Sequence, residues 1–228
     1  MSIYVLRKAS SDGAVALARA IGGIKVRKLP RRLIRQDIII CWGSSVEDAP
    51  CRVLNGAPLR NKLTDARILH SAGIPTIEVS TVPIEGYVGR TIDHTGGLDL
   101  LNPPARPDFW VKRELLVKEY RVHSFNGVSA RAGIKIPRSG FSTPHDWVRS
   151  WDGGWRISYD GKSVKQRHRD LAHSAIAALG LQFGAVDIGQ RKDKSLVVLE
   201  VNRAPGLEAG TIDVYADAFR KWRDNADQ

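Results

Sequence analysis

The sequence predicts a mixed α/β (α+β) fold, and three observations carry that prediction. Short apolar runs alternate with capped, one-sided helical stretches through the first eighty residues. Two extended runs between Trp110 and Ile136 flank Asn126-Gly127, a dipeptide that readily takes the positive φ values of a type I′ hairpin turn. A second pair of apolar runs, Phe183 to Ile188 and Leu196 to Val201, is joined by a charged turn and reads as another hairpin.

From the N-terminus, Ile3 to Leu6 is a strand, and Ser11 or Asp12 caps a helix carrying Ala14, Val15, Leu17, Ala18 and Ile21 before Gly22. Ile24 to Val26 and Ile38 to Trp42 are further strands, so the first 45 residues form a reduced, open α/β unit. Asn61 to Ser71 is a helix stopped at Gly73, and Ile74 to Val79 is extended. Residues 80–108, rich in Gly, Pro and Thr, read as loops and short strands, and 138–163 reads as irregular. Lys165 to Leu179 is a helix ended by Gly180, and Thr211 caps a last helix with Ile212, Tyr215, Phe219 and Trp222 inward. The six tryptophans are expected in the core, with Trp155 in GGWRISYD a candidate flank for a substrate.

Composition narrows the function classes. With 228 residues and 43% hydrophobic content the chain can fill a real core, which excludes collagenous, disulfide-scaffold and largely disordered proteins. No apolar run approaches the ~20 residues needed to span a bilayer, and Met1 to Ser11 holds two charges and no signal-like apolar stretch, so a cytoplasmic location is expected. Cys41 and Cys51 lack metal-knuckle spacing and read as free thiols. The formal charge is +11, and Lys25, Arg27, Lys28, Arg31, Arg32 and Arg35 concentrate six cations without an intervening acid. That patch is either a solvated face or a docking surface for an acidic protein or nucleic acid.

The chemistry concentrates in the second hairpin. Side chains two apart on a strand share a face, so Glu200 and Asn202 point the same way, and an antiparallel neighbour can bring Asp187 beside them. Spacing alone leaves two readings open. These are outward polar residues of a half-exposed hairpin, or two carboxylates and an amide oxygen that suit a hard cation such as Mg²⁺. The turn Arg203-Ala204-Pro205-Gly206-Leu207-Glu208 follows directly and stops the ladder.

FGAVDIG at 183–189 followed by VVLEVNRAPGLE at 197–208 resembles the C-terminal signature of the ATP-grasp enzymes, especially the RimK-like and phage-encoded members. NKLTDARILHSAGIPT at 61–76 resembles the helix and strand that open that fold, and VKEYRVHSFNG at 117–127 its acid-x-Arg strand and hairpin. The resemblance covers about residues 55–217 and implies two α/β subdomains clasping ATP. They would be preceded by a short Rossmann-like unit at 1–58, with the ATP-grasp domain at 59–228 divided into 59–136 and 137–228.

Carried over by position, the resemblance makes Asp187, Glu200 and Asn202 the ligands of one or two Mg²⁺ ions bridging the ATP phosphates. Glu119 would contact the ribose, and Arg121 the phosphates or an acyl phosphate. Lys112 would touch the adenine beside a hinge of Glu114, Leu115, Leu116 and Val117. Arg90 would stand where the family has a lysine, ahead of a glycine loop in which Gly96 and Gly97 let backbone N–H groups approach the anion. His94 beside that pair would donate to phosphate or cap the turn.

Counting back from a two-residue turn, Val122 pairs with Arg131, and Arg121 and His123 fall on the face opposite Arg131 and Lys135. Arg131 and Lys135 are therefore substrate-side or phosphate-side candidates. His70, His123, His145, His168 and His173 have packing or surface roles. The activity implied is ATP-dependent ligation of a carboxylate to an amine or thiol. The alternative is a basic nucleic-acid or protein-binding module on a non-catalytic fold of the same kind.

Overall fold

In the computed structural model, residues 1–228 are described except Lys8, Ser10, 93–97, 142–144, Gly161, Ala209 and 226–228. His94, Gly96 and Gly97 therefore lie outside the described residues.

The first strands, β1 (Ile3–Leu6), β2 (Ile24–Val26), β3 (Ile38–Cys41) and β4 (Arg52–Leu54), form a parallel sheet in the order β2-β1-β3-β4. A parallel sheet must bury both faces, and the unbroken run Ile38-Ile39-Ile40-Cys41 is wholly buried. Helix α1 (Asp12–Ala20) covers one face; Ser11 Oγ accepts from the Ala14 N–H at 3.2 Å, and Gly22 closes the helix at φ +67°. On the other face, Leu29, Leu33, Val46 and Val53 pack over Leu6, Ile39 and Cys41. Both cysteines are free, and burial pushes the Cys41 thiol up to about 11.

Helix α2 (Lys62–Ser71) begins where Asn61 Oδ1 accepts from the Thr64 N–H at 2.8 Å. A small antiparallel sheet follows, β5-β7-β6, made of β5 (Val79–Ser80), β6 (Tyr87–Arg90) and β7 (Phe109–Lys112), with the short α3 (Leu98–Leu101) before β7. This corrects the expectation that Trp110 opens the first hairpin. Lys112-Arg113-Glu114 breaks the apolar alternation, and Phe109–Lys112 pairs with β6 in a different sheet.

The third sheet is antiparallel, in the order β10-β9-β8-β11-β12. It consists of β8 (Leu116–Phe125), β9 (Val128–Pro137), β10 (Trp155–Ser158), β11 (Phe183–Arg191) and β12 (Leu196–Asn202). Asn126 and Gly127 both have positive φ, 47° and 76°, as a type I′ turn requires. Helix α4 (Gln166–Ala178) buries one face, on Tyr120, Val122, Val186, Ile188 and Val198. At one end of the opposite face Phe125 and Phe183 join α5 (Thr211–Asn225) and α1 in a core that also contains Trp42 and Tyr215. The further end of that face is not filled by apolar side chains, and there the strands turn charged residues inward. No helix among the described residues is long and apolar enough to cross a membrane.

Two bulges set which residues share that face. The β8–β9 register runs Phe125↔Val128 and Ser124↔Ser129, then shifts to His123↔Arg131 and Arg121↔Gly133. The extra residue on β9 overturns the two-residue count: Arg121, His123, Arg131 and Lys135 face the same side. The second bulge lies between Asp187 and Ile188, which pair with Glu200 and Val198, so Leu199 is left over and both Leu199 and Glu200 face the open end.

Candidate functional site

Asp187 sits in the middle of the sheet with Arg121 opposite on β8 and Glu200 opposite on β12. The Arg121 guanidinium grips the carboxylate through both oxygens, Nε to Oδ1 at 2.7 Å and Nη2 to Oδ2 at 2.8 Å. Lys135 Nζ donates to Glu119 Oε2 at 2.9 Å and reaches Asp187 Oδ2 at 3.5 Å. Glu200 Oε2 accepts from Lys62 Nζ at 2.6 Å, and Glu200 Oε1 from Asn202 Nδ2 at 2.8 Å. Two neighbouring groups result: Arg121 and Lys135 hold Asp187 and Glu119, while Lys62 and Asn202 hold Glu200 on the next strand.

The electrostatics follow from that pairing. Burial raises the Asp187 pKa, but Arg121 and Lys135 outweigh it and hold the carboxyl well below the usual range. Burial likewise opposes the charge of Glu200, and Lys62 overcomes it. Lys135 is pulled down by burial and pushed further up by Asp187 and Glu119. Asp187, Glu200 and Lys135 are thus held charged by mutual neutralisation in a poorly solvated place.

Glu119, Arg121, Lys135, Asp187 and Glu200 form the floor of a cavity of about 370 Å³. Ile77, Val88, Val111 and Leu199 give it an apolar side, and Arg90, Arg121, Lys135, Arg149 and Arg156 a cationic one. The volume falls in the range of small-molecule sites, and apolar walls with a few convergent polar groups are what such sites need. The segment Arg113–Leu116 crosses one edge and joins the small sheet to the large one. Glu114 is clamped to the end of β11 by Arg191 at 2.7 and 2.7 Å. Lys112 lines the cavity with its ammonium on Glu78 at 2.6 Å. Leu116 lines the cavity, while the side chains of Leu115 and Val117 are exposed.

Arg90 ends β6 and is buried, with Nε donating to Asp99 Oδ2 at 2.7 Å; the Thr91 N–H donates to the same oxygen at 3.2 Å. This pair ties together the two ends of the segment that contains His94, Gly96 and Gly97. Arg131 faces the same side as Arg121 but lies toward α5. It donates to Thr211 Oγ1 at 2.7 Å and stacks on Tyr159 at 3.8 Å. His123 lies between the apolar core and the charged floor; its Nδ1 is 3.3 Å from the Tyr215 hydroxyl and its Nε2 is 3.2 Å from the Tyr159 hydroxyl. Burial, reinforced by Arg121, lowers its pKa to about 3, so it is a neutral packing residue. His168 is buried against the Tyr120 ring at 4.3 Å.

Three residues at the site were not singled out as candidates, although Lys62 and Glu208 lie inside the quoted motifs. Lys62 opens α2, far along the chain from Glu200. Arg149 lies in the irregular segment, where its Nη2 donates to the Leu116 carbonyl at 2.8 Å, its Nε stands 3.8 Å from Glu119, and Trp155 lies over it at 4.8 Å. That Nε is buried without a hydrogen-bond partner among the described residues. Glu208 closes the cavity rim. The tryptophans also depart from expectation. Only Trp42 is fully buried, while Trp147, Trp151 and Trp155 line the cavity, because the segment that carries them folds across its mouth.

Could this donor set hold a metal? Among the described residues no group of three or more His, Cys, Asp or Glu forms a metal centre. Asp187, Glu200 and Asn202 are two carboxylates and an amide, adjacent in register and all hard oxygen donors. They fit a Mg²⁺ ion that takes its remaining ligands from water or phosphate.

No protein-family profile matches the chain, and no curated protein sequence does. Among solved structures the chain is similar to the ATP-grasp ligase PsnB complexed with a minimal precursor, with a TM-score of 0.67 and 14% identity over 97% of this chain and 99% of that one. It is similar also to PsnB complexed with minimal precursor, Mg and ADP, with a TM-score of 0.65 and 13% identity over 97% and 98% of the two chains. The macrocyclase MdnC from Microcystis aeruginosa MRC, bound with precursor peptide MdnA, superposes with a TM-score of 0.62 and 10% identity over 99% and 100%. At these identities the likeness is one of fold: the chain has the ATP-grasp fold.

Proposed function

We propose that the protein is an ATP-dependent ligase that joins a carboxylate to an amine. The observation that carries this reading is the strand register that sets Asp187 between Arg121 and Glu200 on the floor of a cavity with one apolar and one cationic side. The fold agrees with it, since PsnB and MdnC are an ATP-grasp ligase and a macrocyclase.

In this reading the adenine lies against Val88, Val111 and Leu199 beside the 113–116 segment, and the triphosphate runs over the charged floor. Asp187, Glu200 and Asn202 would hold Mg²⁺, which supplies charge neutralisation for the phosphates. Arg121, Lys135 and Arg90 stabilise charge on the transferring phosphoryl group, and Lys135 is oriented for this by Glu119. A substrate carboxylate oxygen attacks the γ-phosphorus, and the bond to the bridging oxygen of ADP breaks. The amine then attacks the acyl carbon, phosphate leaves with the bonding pair, and the amine proton passes to solvent or phosphate. Positioning and charge do this work, so no enzyme nucleophile is needed. The non-catalytic alternative is disfavoured, because a module that only bound partners would have no use for buried, paired acids and cations on the floor of a nucleotide-sized cavity.

The test is ADP release with ATP and Mg²⁺ over a panel of amino acids and peptides, with products weighed by mass spectrometry. Asp187→Asn and Glu200→Gln should each abolish substrate-dependent ADP release. Wild-type turnover in either variant would refute the assignment.

A further inference from the structure

The side chains of Lys25, Arg27, Lys28, Arg31, Arg32 and Arg35 make no hydrogen bond or ion pair among the described residues, and all of these residues but the half-buried Lys25 are exposed. Folding does not need their charge. The loop that carries most of them is held by Leu29 and Leu33, packed on Leu6, Ile39 and Cys41. Its far end is held by Asp37, whose carboxylate accepts from the Ser2 and Ile34 N–H groups at 2.8 and 3.0 Å. Alternate burial of the leucines therefore turns the cations outward as one strip.

The strip starts at the end of an edge strand and crosses toward β1 and β3. In the order β2-β1-β3-β4, β2 pairs only with β1 among the described residues, so one row of its backbone donors and acceptors has no described strand beside it. Ile24, on that edge strand, is exposed, and so is Ile34 at the far end of the loop. The strip also starts near the candidate site. The Arg7 N–H donates to the Val26 carbonyl at 3.0 Å, placing Arg27 at the C-terminal end of the sheet. At that end, the turn after Asn202 packs so closely that a Cβ on Gly43 would stand 2.9 Å from the Ala204 methyl.

We propose that β2 and the 27–35 loop form a docking edge for an acidic polypeptide segment, which adds along β2 as an extended strand with its carboxylates on the cations. Main-chain pairing gives such an edge affinity, and the flanking charges select the partner. A nucleic acid fits less well. Single strands are held by bases stacked on aromatic rings, and residues 23–37 contain none. This proposal does not depend on the ligase reading and can fail or hold without it.

The experiment uses the full chain without nucleotide and a fluorescein-labelled peptide of alternating Glu and Val. A Gln-for-Glu peptide and an oligo-dT of equal charge serve as comparisons. The acidic peptide should bind best, and Arg27→Glu, Lys28→Glu, Arg31→Glu and Arg32→Glu together should weaken it by at least about tenfold without moving the thermal midpoint. Hydrogen exchange at residues 24–26 should slow when the peptide is bound. If the reversed protein does not fold, Arg31→Gln with Arg32→Gln serves instead, since those side chains make no hydrogen bond or ion pair. Tighter binding of oligo-dT, equal binding of the Gln peptide, unprotected β2 amides, or affinity indifferent to the substitutions would each overturn the proposal.

Discussion

Arg121 and Asp187 face each other across β8 and β11, and the guanidinium spans both carboxylate oxygens at 2.7 and 2.8 Å. Asp187 is buried, with its side chain 6% exposed. Breaking such a pair from one side leaves Asp187 with only Lys135, at 3.5 Å, in a poorly solvated place, which costs up to about 3–5 kcal/mol. Arg121→Met should therefore lower unfolding stability in a denaturant titration by that order. Arg121→Met with Asp187→Leu should recover most of the loss while remaining without ADP release. An Arg121→Met protein as stable as wild type would show that the pair does not hold the sheet.

Arg149 reaches from the tryptophan-rich segment to the Leu116 carbonyl and toward Glu119, and its buried Nε, 3.8 Å from Glu119, has no hydrogen-bond partner among the described residues. Arg149→Met should weaken binding of a non-hydrolysable ATP analogue by about tenfold in calorimetry, and Arg149→Lys, which keeps the charge but not the planar fork, by less. Unchanged affinity in Arg149→Met would place this side chain beyond the nucleotide's reach.

His123 gives stability a pH dependence with a definite sign. Its folded pKa is lowered to about 3, first by burial and then by Arg121, while an unfolded histidine titrates near 6.5. Above pH ~6.5 both states are neutral and this contribution is complete; as pH falls from there toward 3 the unfolded chain takes a proton that the folded one refuses. Stability should fall by up to about 1.4 kcal/mol per pH unit from this group, and His123→Gln should flatten the profile between pH ~6.5 and ~5. The residual slope belongs to His168 and His173, both also lowered by burial. A profile as steep in His123→Gln as in wild type would contradict the assignment.

Gly133 lies between Arg131 and Lys135 where β10 meets β9. A Cβ there would stand 2.6 Å from the Ser158 carbonyl oxygen and 2.7 Å from Ile157 Cγ2. Gly133→Ala should cost about 1–3 kcal/mol by pushing β10 away. The same shift should loosen Tyr159, on which Arg131 stacks, and make the 138–163 segment more sensitive to limited proteolysis. An alanine variant with unchanged stability and cleavage would mean that the strands yield without strain.

Much of the site was legible because strands have a period of two. Asp187, Glu200 and Asn202 could be assigned to one face from VVLEVN and its partner strand, and the turn at Asn126-Gly127 followed from the two residues alone. Lys62 and Arg149 were not legible. Each meets its acid only after chain segments distant in sequence are brought together, and nothing local distinguishes these cations from the other thirty-three lysines and arginines.

What the sequence by itself determined is the longer strands and helices, their caps and turns, and the alternation that aims the acids inward, since all of these depend on neighbours a few residues away; Arg52–Leu54 and Trp155–Ser158, in stretches where no strand was read, form β4 and β10. Only the tertiary structure decided the two bulges, which swing Arg131 and Lys135 onto the face of Arg121 and leave Leu199 beside Glu200. It decided also that Phe109–Lys112 leaves the hairpin for another sheet, and that the tryptophans of 147–155 wall a cavity instead of filling the core. A one-residue slip costs little locally and reverses every side chain beyond it, so the register is set by whichever pairing lets the buried charges meet and the apolar face stay covered.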